Sequence, residues 1–232
     1  MAVTTERRGE VLVIHLDDGR ANAVTLELIA ELTEAVRRAD ADPEVKALVL
    51  HGREGRFSGG FDLGVMRSGD MRAIAELASG GGLLVHTLYG ADLPVVIACT
   101  GHAIAMGAML LMSGDQRVGA DGDFKIGMNE LAIGISLPDW ALTILLERLD
   151  RRRVQEALMT ARLYGPSEAV EVGYLDEVVA PERVLDRAME IAEGLAATID
   201  LKAYATTART LRGSMLAALE AQALAFRDGG VI

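Results

Sequence analysis

Two short apolar runs, 47–51 and 95–99, constrain this chain more than any other feature. Neither alternates between polar and apolar residues. Such runs suit strands covered on both faces, as in a parallel sheet sandwiched by helices. The flanking residues agree: Asp42-Pro43 closes the segment before the first run, and Pro94 introduces the second. Glycine follows soon after each, at Gly52 and Gly101. An α/β core is the expectation.

Residues 10–16 read as a further strand, and 17–23 as a polar loop with Asp18-Gly19 as its turn. Thr25 is placed to cap a helix running to Ala39, with Leu28, Ile29, Leu32, Ala35 and Val36 on one face. Residues 52–60 form a Gly- and Arg-rich loop, with a helix start in 61–66. The stretch 68–82 mixes a helical pattern with Gly80-Gly81-Gly82, which predicts the most mobile part of the chain, and 83–89 reads as its own helix. Residues 105–113 suit a buried helix, and 116–119, 124–127 and 175–179 suit strands. From Trp140 onward helices dominate, broken at Gly165-Pro166 and Gly173. No linker, repeat or low-complexity segment interrupts the pattern.

The formal net charge of −11, from 34 acidic and 23 basic residues, opposes nonspecific binding to nucleic acid or an anionic membrane. No apolar run reaches the roughly 18 residues of a membrane span. One cysteine, Cys99, allows no internal disulfide, and residues 1–9 carry charge rather than an apolar leader. A cytoplasmic location is expected.

Four histidines, at 15, 51, 86 and 102, fall in no metal-ligand spacing, and Asp121-Gly122-Asp123 lacks the acidic partner of a calcium loop. No metal is expected. Ser58 lacks the glycine a nucleophile elbow requires, since Arg56 stands there. No phosphate-binding glycine fingerprint occurs.

Three other segments carry chemistry together. Arg56-Phe57-Ser58-Gly59-Gly60-Phe61-Asp62-Leu63 passes from strand to helix, and Gly101-His102-Ala103-Ile104-Ala105-Met106-Gly107 does the same. Each can leave backbone N–H groups free at a helix start, and two such groups aimed at one point form an oxyanion hole. Ile126-Gly127-Met128-Asn129-Glu130 then places one carboxylate among Leu131, Ala132 and Ile133. A carboxylate there has a raised pKa and can act as a base toward a weak carbon acid.

In this order and spacing the segments resemble the crotonase superfamily, the enoyl-CoA hydratase/isomerase family, over about residues 9–200. Arg20-Ala21-Asn22-Ala23 looks like that family's acyl-CoA adenine loop. Tyr164 to Ala169 and Gly173 to Val179 are similar to its downstream stretch. The resemblance implies a crotonase-like spiral of ββα units in residues 1–180. It also implies a C-terminal helical region, 181–232, that assembles the chain into a trimer or a hexamer of paired trimers. It places the oxyanion N–H groups at Phe61 and Met106. Substrate contacts would come from Arg20, Ala21, Ala23, Ser58, Gly60, Asp62, Leu63, Gly107, Met109, Asn129 and Trp140. Arg20, Arg53, Arg56 and Arg67 are candidates for the CoA phosphates. The substrate is itself the CoA thioester, so no cofactor is expected.

Hydratases of the family use two glutamates. Here Met109 stands at the first position and Glu130 at the second. Together with Pro138-Asp139-Trp140, the Glu130 segment resembles the mitochondrial-type Δ3,Δ2-enoyl-CoA isomerases, which work with one glutamate. Three functions are carried forward: an isomerase using Glu130 alone, a hydratase in which Asp139 supplies the second carboxylate, and an acyl-CoA-binding homologue with little catalysis.

Overall fold

The structure, a computed structural model, describes residues 2–229. Strands β1 (Val3–Arg8) and β2 (Val11–Leu16) form an antiparallel hairpin, followed by β3 (Ala23–Val24) and helix α1 (Leu26–Ala41). Strands β4 (Ala47–His51), β5 (Gly55–Ser58) and β6 (Gly60–Phe61) lead through the short α2 (Leu63–Met66) into α3 (Met71–Tyr89). Next, β7 (Val95–Cys99) and β8 (Gly101–Ile104) lead into α4 (Met106–Met112). Strands β9 (Gln116–Ala120) and β10 (Ile126–Gly127) pass through a 3₁₀ turn at Glu130–Ile133 into α5 (Asp139–Arg148). The elements α6 (Val154–Met159), α7 (Pro166–Val172), β11 (Glu177–Val179), α8 (Val184–Thr198) and α9 (Leu201–Gly229) follow.

Each pass of the chain repeats one plan. The first strand joins a main sheet of order β1-β2-β4-β7-β9-β11, and the second leaves it. Strands β5, β8 and β10 build a separate parallel sheet, and β3 pairs with β6. A helix then returns the chain to the main sheet. This is the spiral of ββα units expected from the sequence.

Both apolar runs become central strands with neighbours on each side. Because successive side chains point to opposite faces, Leu48, Leu50, Val95, Ile97 and Cys99 enter the larger core with α1, α3, α4 and α5. Ala47, Val49, Val96 and Ala98 enter a smaller core closed by Val184, Ala188, Ala192 and Ala196 of α8. Thr25 caps α1, its hydroxyl accepting the Leu28 N–H at 3.1 Å.

The structure departs from the sequence reading in three places. Residues 3–8 form a strand, its side chains almost all exposed, so no apolar pattern announces it. Residues 55–58 and 60–61 are strands rather than loop. Gly80-Gly81-Gly82, expected to be mobile, lies inside the single helix α3, with Gly81 and Gly82 buried. Close packing requires these glycines: a Cβ on Gly81 would lie 2.5 Å from the Phe61 ring, and one on Gly82 2.9 Å from both the Trp140 ring and Ala223.

Helix α8 covers one face of the main sheet, and α9 packs along α3 and α5. Arg212 of α9 is 9% exposed, pairs with Asp115, and donates to the Tyr89 carbonyl at 2.9 Å. Asp115 also accepts the Tyr204 hydroxyl and the Val95 N–H, each at 2.8 Å. This largely buried pair ties α9 to the core, although the Arg212 Nε has no hydrogen-bond partner.

Candidate active site

Strands β5, β8 and β10 are parallel neighbours, so the segments leaving them emerge at the same end. Those segments are 58–61, 104–106 and 127–130, the three singled out in the sequence. The backbone ties them together. Gly60, at φ 94°, backs onto the second turn, where a Cβ would lie 2.9 Å from the Ile104 carbonyl oxygen. A Cβ on Gly107 would overlap the Ser58 carbonyl. The Ala105 N–H donates to the Gly127 carbonyl at 2.9 Å, which brings Glu130 beside the start of α4.

Ala105 adopts φ 55° and ψ −121°, strained for a residue with a side chain, and provides no side-chain cap for α4. Such a conformation costs about 1–3 kcal/mol and persists only where its surroundings enforce it. It leaves Met106 as the first residue of α4, with a backbone N–H that has no acceptor within the helix. In the other turn the Asp62 N–H donates to the Val24 carbonyl at 3.1 Å. The preceding N–H, that of Phe61, faces the opposite side of its strand.

A cavity of about 280 Å³ opens between these turns and the helices α3, α5 and α9. Seven residues from the sequence-derived site line it: Phe61, Leu63, Met106, Met109, Asn129, Glu130 and Trp140. Arg67 is the one of the four candidate arginines among its lining residues. Arg53 instead donates to the Arg20 carbonyl at 2.8 Å and faces Asp17, while Arg20 and Arg56 are exposed.

Ser58, Gly60, Asp62 and Gly107 do not line the cavity; they build it. The Ser58 hydroxyl donates to the Asn22 carbonyl at 2.7 Å and accepts the Gly60 N–H at 3.2 Å. Asp62 caps α2 by accepting the Val65 N–H at 3.0 Å. Ala21 and Ala23 flank the first turn, Ala21 accepting the Gly59 N–H at 2.8 Å and Ala23 pairing with Gly60. Buried Asn22 anchors this loop by donating to the Leu16 carbonyl at 2.8 Å and the Phe57 carbonyl at 3.1 Å. Its φ of 50° is a left-handed conformation that asparagine tolerates, a signal available in the sequence.

Glu130 begins the 3₁₀ turn, with its Oε2 atom buried and without a hydrogen-bond partner. Burial pushes its carboxyl up to about 7, partly offset by the backbone N–H groups of Glu130 and Asn129. It is the sole carboxylate among the described residues lining the cavity. Asp139 is exposed at the first turn of α5 and is not among them, although its neighbours Pro138 and Trp140 are. Met109 is buried and lines the cavity, while Met112 lies in the core. Cys99 is buried, its thiol pushed up to about 12 by desolvation. His102 accepts the Lys125 N–H at 3.0 Å, a structural role at the edge of β8.

Sequence reasoning missed Ala78, Met66, Met128 and Phe226, which also face the cavity. Phe226 lies 96 residues after Glu130 on α9 (226 − 130), and no local pattern marks its destination.

Gly107→Ala tests how the two turns are joined. Forcing a methyl against the Ser58 carbonyl is expected to lower stability by about 1–3 kcal/mol, the usual range for overpacking. Turnover should fall with it, because Met106 moves with the turn. A melting temperature and rate equal to those of the parent protein would show that the contact does not set the geometry.

The ββα spiral, with these two turns and a buried carboxylate in one cavity, defines an α/β protein of the crotonase class. A profile of the enoyl-CoA hydratase/isomerase family matches residues 6–228, and the chain belongs to that family. Mitochondrial enoyl-CoA delta isomerase 1 of Mus musculus is 31% identical over 191 residues, 82% of this chain and 66% of that protein. The chain therefore spans just under two thirds of that relative's length. An enoyl-CoA hydratase from Mycobacterium ulcerans Agy99 has a structure matching this one with TM-score 0.92 at 39% identity, over 99% of both chains. The human mitochondrial delta3-delta2-enoyl-CoA isomerase matches with TM-score 0.90 at 28% identity, over 98% of this chain and 91% of that one. Among the described residues, no helix is long and apolar enough to cross a membrane.

Proposed function

We propose that the chain is a Δ3,Δ2-enoyl-CoA isomerase with Glu130 as its single acid and base. The observation that carries this reading is the cavity's inventory of carboxylates: Glu130 is the one among the described lining residues, and Met109, where the family resemblance puts a second, lines the cavity as a thioether. Water addition needs one group to activate water and another to handle the proton at C2. A methionine thioether does neither. Moving a double bond needs only one group that removes a proton and returns it.

In this reading the Glu130 carboxylate takes a proton from C2 of a 3-enoyl-CoA. The electron pair flows into the thioester, and the oxygen of the resulting dienolate lies against the N–H groups of Phe61 and Met106. Glu130, now protonated, returns the proton at C4, and the double bond comes to rest between C2 and C3. Atoms balance without water, metal or cofactor. A carboxyl that titrates near 7 suits both halves of the cycle, since it exchanges a proton readily near neutral pH.

The test compares two reactions of the unmodified protein under one set of conditions. Conversion of trans-3-hexenoyl-CoA to the 2-enoyl thioester should exceed hydration of trans-2-hexenoyl-CoA by at least about 10²-fold, the lower range for one acid/base group. Hydration matching or outrunning isomerisation would overturn the assignment.

A further inference from the structure

Helices α5 and α9 line the active-site cavity through Trp140, Ala141 and Phe226, and two consecutive glycines of α3 let lining side chains pack close against that helix. At Gly81 the backbone meets the Phe61 ring and the Met106 sulfur, where a Cβ would lie 2.5 and 3.2 Å away. At Gly82 it meets the Trp140 ring and Ala223, each 2.9 Å from such a Cβ. Side chains of the catalytic turns and the indole therefore rest on adjacent residues of one helix, whose Cα atoms are about 3.8 Å apart. Trp140 is 2% exposed, and its indole packs over Gly82 of α3, where Ala223 of α9 also lies. Ala78, one helical turn before Gly82, lies on the same wall.

The cavity is small, about 280 Å³, which suits a short to medium acyl chain.

We propose that Trp140 is the specificity-determining residue for acyl length: its indole, packed over Gly82, ends the pocket and selects short to medium chains. The proposal rests on the assignment of this cavity to the acyl chain. Its test therefore uses saturated acyl-CoA thioesters, which bind without being isomerised.

Calorimetric affinities are measured from butanoyl-CoA to hexadecanoyl-CoA for the parent protein, Trp140→Leu and Ala78→Leu. For the parent, affinity should rise about fourfold per buried methylene up to hexanoyl- or octanoyl-CoA and then level off or fall. Trp140→Leu should move that break to longer chains, and Ala78→Leu should move it to shorter ones. If Trp140→Leu does not fold, Ala78→Leu and Phe226→Ala decide, the latter lengthening the accepted chain. A parent affinity that climbs steadily to hexadecanoyl-CoA, or a break unmoved in the folded variants, overturns the proposal. Absence of isomerase turnover with the break in place rejects the isomerase reading and leaves Trp140 as the ruler. Absence of binding by any thioester rejects the cavity assignment and the ruler with it.

Discussion

Replacing Glu130 with Gln is expected to lower 3-enoyl-CoA isomerisation by at least about 10²- to 10⁴-fold, the usual contribution of a general acid/base. The loss should lie toward the upper end, because no other described carboxylate lines the cavity to take over. Glutamine keeps the size and one carbonyl acceptor but accepts no proton at neutral pH, so thioester affinity should survive. Parent-like turnover in Glu130→Gln would remove the mechanism; lost affinity would mean that the carboxylate holds the pocket together.

The same variant has an opposite effect on stability. The folded-state pKa of Glu130 is raised from 4.5 to about 7. Between those values the folded protein keeps a proton that the unfolded chain has released, so stability falls as pH rises through this window. Above about pH 7 the full penalty for a buried charge is present, on the order of 3 kcal/mol at 1.36 kcal/mol per unit. Glu130→Gln should therefore be more stable than the parent at about pH 8, with the gap closing below about pH 4.5. Denaturant unfolding at the two pH values measures this. The parent's kcat/KM should rise with pH and level off above about 7, because the base acts when deprotonated. A variant less stable than the parent at the higher pH would show that the carboxylate is solvated.

The main sheet is legible because strands β4 and β7 at its centre are buried on both faces and are almost wholly apolar. Ala47–His51 and Val95–Cys99 declare themselves without help from any other part of the chain. Edge strand β1 has no such constraint: its exposed Thr4, Thr5 and Glu6 suit many structures, and pairing with β2 decides the matter. Gly80-Gly81-Gly82 misleads for a related reason. Glycine lowers helix propensity in isolation, yet here the missing side chains let Phe61, Met106, Trp140 and Ala223 pack against α3. Tertiary contact overrides local preference, and the partners range from Leu26 and Ile29 of α1 to Ala223 of α9, far from the triplet in sequence.

The site divides along the same line. Phe61, Met106 and Glu130 follow three strands of one small parallel sheet, so local motifs in chain order suffice to group them. Gly60 and Gly107 read as substrate contacts in the sequence because both sit in those motifs. Both positions are places where two backbones approach closely. Phe226 and Ala78 carry no local mark, since only the folding of α9 and α3 around the cavity brings them there.

Removing the Met106 N–H is expected to lower turnover by about 10²- to 10³-fold, the cost of one oxyanion-hole donor. Proline is the simplest way to delete an N–H, and it is tolerated in the first turn of a helix. The conformation of Ala105 excludes it here. A residue before proline is held to an extended ψ near +120 to +160°, whereas Ala105 has φ 55° and ψ −121°. Proline would break the turn and, with it, the 2.9 Å bond from the Ala105 N–H to the Gly127 carbonyl that positions the Glu130 segment. An ester in place of the peptide bond between Ala105 and Met106 deletes the donor while keeping the chain's shape. Because the contact strengthens as negative charge develops on the thioester oxygen, kcat should fall much more than thioester affinity. The same replacement at Leu110, inside α4, removes one helical hydrogen bond, about 1 kcal/mol of stability, and should affect unfolding rather than catalysis. If the folded ester variant at Met106 turned over at the parent rate, the oxyanion would have to lie elsewhere in the cavity.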